Sequence, residues 1–300
     1  MLESFERHDV DLHQARIHAV VGGAGPPVLL LHGYPQTHVM WHRVAPQLAE
    51  RHTVVLADLR GYGDSSRPPS EPDHASYSKR AMAADQVALM RHLGFETFAV
   101  VGHDRGARVA HRMCLDRPEV VSRVALLDIV PTRHVFAHVD RAMAQAYYHW
   151  FFLAQESDLP EHLIGADPGY WLRRKLAQWS GAVGIDAFAP EAVAEYVRCF
   201  SDPEVIRATC EDYRAAASVD LEHDDVDAAA GRRVECPMLV LWGAEGFVAK
   251  AYDVLDVWSE YATDVRGQPL GGGHFPAEEA PDATLTALRD FLADHGTGVD

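Results

Sequence analysis

The chain has 300 residues, 48% hydrophobic and 24% charged, enough apolar material for one large core or a core with an inserted subdomain. Its 44 acidic side chains outnumber its 27 Lys and Arg, for a formal net charge of -17. That balance disfavours nucleic acid as a partner and repels anions at long range, so any anion site must be a local cationic patch. No apolar run approaches the roughly 20 residues of a membrane-spanning helix, so no membrane partner is expected. The opening M-L-E-S-F-E-R-H-D-V is polar and acidic, unlike a secretory signal. Cys114, Cys199, Cys210 and Cys236 show no short C-x-x-C spacing, which points to reduced thiols in a cytoplasmic chain, packed as small apolar side chains.

R-I-H-A-V-V and then P-P-V-L-L-L-H-G predict two early strands, the second ending at Gly33. T-V-V-L-A-D-L-R, Thr53 to Arg60, predicts another, followed by the turn-rich G-Y-G-D-S-S-R-P-P. A helix is expected from about Ser78 to Leu93, with Met82, Val87, Met90 and Leu93 approximating one stripe and Gly94 as its stop. F-A-V-V-G-H-D is a short apolar strand, Arg105 to about Asp116 a helix, and R-V-A-L-L-D-I the next strand. After Pro131 the texture changes: residues 132–231 carry helical periodicity and hardly any strand signal. P-M-L-V-L-W-G, Pro237 to Gly243, returns to strand, and a closing helix is expected from about Pro281 to about Ala293. Alternating strands and helices imply an α/β fold, a mostly parallel sheet with helices on both faces. Residues 132–231 then form an inserted helical cap between core segments 1–131 and 232–300.

The stretch V-V-G-H-D-R-G-A-R places Asp104 in a sharp strand-to-helix turn between two small residues, Gly102 and Gly106. Such an elbow lifts one side chain clear at the carboxyl end of a sheet. A serine there would need a base; an aspartate is ionised at neutral pH and is already a nucleophile. Carboxylates are poor at acyl transfer but adequate for displacement at a saturated carbon. The product is an ester on the enzyme, and its hydrolysis needs a general base. His274 in L-G-G-G-H-F-P has the chain position for that base. Its acid partner is Asp128, at the end of R-V-A-L-L-D, or Glu245, after L-V-L-W-G; the strand end is the more rigid place from which to orient an imidazole.

Ester hydrolysis develops an oxyanion, for which the backbone N–H groups of Arg105 and Tyr34 are the expected donors. Arg105 and Arg108 lie three apart at a helix start and share a face, at the end of the helix that favours anions. Facing the site, they would clamp a carboxylate. The plainer alternative pairs either arginine with an outer acid such as Asp58 or Asp64.

With H-G-Y-P-Q, D-L-R-G-Y-G-D-S, G-H-D-R-G-A-R, L-D-I-V-P-T and G-G-H-F in place, the chain resembles the fluoroacetate (haloacetate) dehalogenases of the α/β-hydrolase superfamily over almost its full length. The resemblance implies Asp104 as nucleophile, His274 as base, Asp128 as its partner, and Arg105 and Arg108 as holders of a haloacid's carboxylate. It further implies a halide pocket made by His149, Trp150 and Tyr213, with Trp179 nearby, no cofactor or metal, and a homodimer. Tyr34 stands where the pattern has phenylalanine, and Pro276 follows G-G-H-F. Epoxide hydrolases of the same fold usually carry tryptophan where Arg105 stands, yet an epoxide hydrolase using Tyr213 as proton donor is the rival enzyme. A catalytically idle binding protein would need a damaged triad. A metal site at His38 and His42, or at His223, is weaker than a surface role for these residues.

Overall fold

In a computed structural model, described over residues 1–293, eight strands form one sheet in the order β1-β2-β4-β3-β5-β6-β7-β8. They are β1 Glu6–Asp11, β2 Arg16–Gly22, β3 Pro27–Leu31, β4 Thr53–Ala57, β5 Phe98–His103, β6 Val121–Leu127, β7 Met238–Gly243 and β8 Val265–Leu270. β2 runs antiparallel to both β1 and β4, and the remaining pairs are parallel. The central strands are buried along nearly their whole length, as their continuous V-L-L-L and A-V-V-G runs require of a sheet covered on both faces. The strand order reverses around β3, which has β4 on one side and β5 on the other. The crevice at the carboxyl ends of such strands is where open α/β sheets hold ligands.

The helix Lys79–His92 starts at Ser78, whose hydroxyl accepts the Ala81 N–H, and ends before Gly94, which takes φ +90. The helices Arg105–Asp116 and Pro281–Ala293 fall where the sequence places them. Two strands lack a sequence signal, and both are edges. β1 reads E-R-H-D-V-D and buries only Val10, while β8 contains Gly267 and Pro269. Charges and proline are tolerated at an edge because one side of the strand has no ladder to complete. Between β6 and β7 every described regular element is helical, from Thr132 to Ala229. No helix among the described residues is long and apolar enough to cross a membrane. All four cysteines are free, three of them buried.

The helical insertion is fastened to the sheet domain by buried charge. Asp212 of the insertion takes Arg105 on both carboxylate oxygens, at 2.8 and 2.7 Å, together with the Lys79 ammonium and the Tyr62 hydroxyl. Asp220 accepts the Lys79 backbone N–H at 2.8 Å. Further along the helix that begins at Arg105, Arg112 bonds Asp224 and Asp227.

Candidate active site

Asp104 sits between β5 and the helix Arg105–Asp116 with φ 46 and ψ −110, outside the regions an L-residue ordinarily occupies. Such strain persists only where the surroundings impose it. Here they do: a Cβ on Gly106 would lie 2.5 Å from the His32 carbonyl oxygen, and one on Gly33 would lie 2.5 Å from Cβ of Asp104. Only glycine permits β3, its following loop and the elbow to approach this closely. The result presents the Asp104 carboxylate to the cavity with Oδ1 fixed by the Tyr34 backbone N–H at 2.9 Å. Burial pushes the Asp104 carboxyl up, but the charges of His274 and Arg105 outweigh it and hold it at about 2. It is ionised at any physiological pH.

His274 reaches the same point from the loop after β8. Its Nδ1 lies 2.6 Å from Asp128 Oδ2, and Asp128 Oδ1 accepts the Gly243 N–H at 2.9 Å, so the carboxylate is held from both sides. Burial works against the imidazolium, but the hydrogen bond and charge of Asp128, then the charge of Asp104, raise the His274 pKa above its ordinary value. Glu245 does not join this pair: it lies at the cavity wall and accepts the Ala182 N–H at 2.8 Å. His274 Nε2 stands 3.8 Å from Asp104 Oδ2, too far for a hydrogen bond. A serine nucleophile would need that bond; an ionised carboxylate does not, and the spacing suits a water placed between them.

The two arginines are held differently, and neither bonds Asp58 or Asp64, the plainer alternative. Arg105 is fully buried with its Nε and Nη2 committed to Asp212, an acid of the insertion, and only Nη1 lacks a partner among the described residues. Arg108 lines the cavity and gives Nη1 to the Val130 carbonyl at 3.0 Å and the Thr132 hydroxyl at 2.9 Å, with Nε unpartnered. No acid bonds it; burial and then Arg105 lower its pKa. Arg105 therefore has only its Nη1 end left to give, whereas Arg108 bonds through neither Nε nor Nη2 among the described residues, which leaves that planar edge open to a carboxylate. Asp58 instead binds His38 through its ring at 2.9 Å, and Asp64 pairs with Arg198 at 3.0 Å.

The cavity has a volume of about 280 Å³, and its walls include Asp104, Arg108, His149, Trp150, Trp179 and His274. His149 is buried; burial, then Lys175, push its pKa well below the ordinary value, so the ring is neutral, and its Nδ1 has no partner among the described residues. The same holds for Trp179 Nε1 and the Tyr213 hydroxyl. Burial, then the Asp104 charge, raise the Tyr213 pKa well above its usual value, which keeps the hydroxyl a neutral donor. Trp150 packs its ring beneath Arg108, 4.6 Å from the guanidinium carbon. The Tyr34 hydroxyl, absent from a phenylalanine, accepts the Trp171 indole N–H at 2.6 Å and so ties this loop to the insertion.

The metal pairing of His38 with His42, set below a surface role above, does not form, and the surface role fails as well for His38, which is buried. His38 turns to Asp58 and, with His18, makes a buried trio whose candidate ligand atoms lie within 4.8 Å of one another; His42 Nδ1 faces the Val39 carbonyl. His18 is held by Asp9 at 2.9 Å, so hydrogen bonds already account for the trio. His223 belongs to no such cluster among the described residues.

Sequence reasoning missed Asp212, Lys79 and Tyr62, which set how Arg105 is presented, and Lys175, whose buried ammonium lies against the rings of Tyr148, Trp171 and Trp179. Burial, then Arg174, lower the Lys175 pKa to about 7. Asp212 adjoins Tyr213, and an acid beside a proposed site residue is the one signal that would have flagged it.

An aspartate on the elbow, an Asp-backed histidine and an eight-stranded sheet carrying a helical insertion define a hydrolase of the α/β type. The chain belongs to the alpha/beta hydrolase fold family, whose profile matches residues 26–281. Among curated proteins it is 50% identical over 299 residues to a fluoroacetate dehalogenase of Burkholderia sp, covering 100% of this chain and 97% of the relative. A soluble epoxide hydrolase of Corynebacterium sp. (strain C12) is 34% identical, over 97% of this chain and 99% of its own. The crystal structure of an alpha/beta hydrolase from Nostoc sp PCC 7120 superposes with a TM-score of 0.95 at 58% identity, covering 97% of this chain and 99% of that one.

Proposed function

We propose that this protein is a haloacetate dehalogenase that converts fluoroacetate or a related haloacid to the hydroxyacid and halide. The observation that carries this reading is an ionised elbow carboxylate beside two buried guanidiniums, Arg105 with its Nη1 end and Arg108 with its Nε–Nη2 edge left to give. The 50% identity to a fluoroacetate dehalogenase supports it. Residues 132–231 serve as the cap. Arg105 Nη1 and the Nε–Nη2 edge of Arg108 hold the substrate carboxylate from two sides, which sets the halogen-bearing carbon before Asp104.

Asp104 Oδ2 attacks that carbon, the carbon–halogen bond breaks, and the halide leaves with the bonding pair. His149, Trp150 and Tyr213 receive it, with Trp179 beside them. Water then loses a proton to His274 and attacks Cγ of Asp104, while the charge gathering on Oδ1 falls to the N–H groups of Tyr34 and Arg105. Collapse breaks the Cγ–Oδ2 bond, the departing alkoxide takes the proton from His274 and leaves as the hydroxyacid, and the Asp104 carboxyl loses its own proton to solvent, with Asp128 steadying the imidazolium in between. None of these steps calls on a metal or cofactor.

An epoxide hydrolase is the second reading, favoured by the unpartnered Tyr213 hydroxyl, which could protonate an epoxide oxygen, and by the Corynebacterium relative. Two buried arginines count against it, because a neutral epoxide leaves their N–H groups unused. Halide release from fluoroacetate and chloroacetate, run beside an epoxide control, separates the two. Single turnover in ¹⁸O-water with enzyme in excess should leave heavy oxygen in the peptide containing Asp104; an unlabelled peptide would end the covalent reading. We further infer a homodimer working in the cytoplasm. The free cysteines support the compartment, and the exposed Leu159, Leu163 and Tyr170 of the cap support an assembly.

A further inference from the structure

The geometry points to Glu279 as the positioning residue of His274, needed for hydrolysis of the Asp104 ester and not for its formation. This inference rests on the two-step reaction proposed above. His274 follows three glycines, Gly271 to Gly273, the residues with the most backbone freedom to lose. Asp128 fixes the imidazole through Nδ1 but touches none of the backbone that carries it.

Glu279 does that work from five residues downstream. Its Oε2 accepts the Gly273 N–H at 2.9 Å and its Oε1 the Phe275 N–H at 3.0 Å, so one carboxylate grips the residue on each side of His274. Oε2 also accepts the Gly181 N–H of the cap at 2.7 Å. The His274 N–H donates to the Trp179 carbonyl at 2.9 Å, and the His274 carbonyl accepts from His103 Nε2 at 2.7 Å. The loop and the segment Trp179–Gly181 thus form a seam that the Glu279 carboxylate closes. Neighbouring Glu278 faces elsewhere, bonded by the Tyr196 hydroxyl at 2.5 Å. A glutamine at 279 retains one acceptor oxygen but turns an N–H₂ toward backbone N–H groups, which forces part of the seam open.

Alkylation needs no base, so a shifted His274 leaves it untouched. The test uses full-length Glu279→Gln and Glu279→Ala with chloroacetate. A misplacement of about 1 Å costs on the order of a hundredfold in a positioned step. The expected result is a tenfold to hundredfold fall in kcat with a matching fall in KM, leaving kcat/KM within about twofold. Rapid quench should show a burst near one halide per site, with the ester retained on Asp104. Equal losses in the burst rate and in steady-state turnover would mean that Glu279 only supports the fold, and an unchanged kcat in both variants would also overturn the inference. Should one variant fail to fold by circular dichroism, the other decides. His274→Ala is the control: if it accumulates no ester, the two-step reading has failed instead.

Discussion

The site has two halves, and they are built differently. On the sheet side the groups proposed to react are held by the protein itself: Asp104 by Tyr34, His274 by Asp128, Asp128 by Gly243. On the insertion side His149 Nδ1, Trp179 Nε1 and the Tyr213 hydroxyl are buried with no partner among the described residues. A buried donor left unpaired costs about 1–3 kcal/mol. Such a cost is tolerable where a ligand supplies the acceptor, so one half holds reactive groups still and the other waits for a leaving group. The arginines stand at the border and share both habits: among the described residues Arg105 is bonded except at Nη1, and Arg108 is bonded only through Nη1.

The largest expected effect lies in the sheet half. His274→Ala should lower steady-state turnover by on the order of 10³-fold or more while still releasing about one halide per site. Quench-flow halide release with intact-mass detection of the ester checks this, and a folded variant showing no alkylation would show that His274 serves the first step too.

The border comes next. Arg105→Gln and Arg108→Gln should each weaken haloacetate recognition by about 1.5–3 kcal/mol, the worth of a charge-assisted hydrogen bond. They should differ in stability. Arg105→Gln strips Asp212 of its bidentate partner and should lower the melting temperature, with a cost of up to about 3 kcal/mol. Arg108→Gln removes a cation that no acid pairs and should melt near wild type. Equal melting shifts would contradict this division between a braced arginine and an unbraced one.

Smaller effects belong to the insertion half. Tyr213→Phe deletes a hydroxyl without a protein partner, so stability should hold, while the fluoroacetate rate falls more than the chloroacetate rate. Fluoride is the harder acceptor and the worse leaving group, and its departure depends more on aimed donors. Comparing kcat on both substrates, under conditions where alkylation limits turnover, decides this; equal losses would reduce Tyr213 to packing. The mildest effect is the pH dependence. His274 must be neutral to act as base, and the hydrogen bond and charge of Asp128 raise its pKa; the Asp104 charge adds to this in the free enzyme and is gone once the ester forms. Ester hydrolysis should therefore rise with pH through a midpoint above the usual histidine value. Alkylation, which depends on Asp104 held at about 2, should be flat from mildly acid to neutral pH. An ester-hydrolysis midpoint at or below the usual histidine value would contradict the proposed role of Asp128.

The same contrast explains how much could be read in advance. The elbow is legible because its requirements are local: a buried strand, a glycine on each side, and a helix start, all within ten residues. Central strands are legible because burial on both faces leaves unbroken apolar runs. The edge strands β1 and β8 carry charges, glycine and proline, and nothing in their composition separates them from loops. The partner of Arg105 was illegible for another reason. Asp212 lies 107 residues away and meets Arg105 only because the insertion folds back over the sheet. The guanidinium stands near the site because it follows Asp104 in the chain, but its orientation is a tertiary fact.

The buried charges between insertion and sheet also bear on how the site is entered. Raising the insertion as a hinged lid would part Arg105 and Lys79 from Asp212, and Arg112 from Asp224 and Asp227. Each charge parted in this way is rehydrated, which offsets part of the lost attraction, but all of these pairs must let go together. Lifting the insertion as one body is therefore a costlier route to the site than moving a few side chains. Traffic is therefore left to side-chain movements at the cavity rim, where Phe247 and exposed Lys250 stand between this cavity and the neighbouring depression lined by His134 and His138. The insertion is a fixed wall with a narrow door, and heat should melt it and the sheet in one transition.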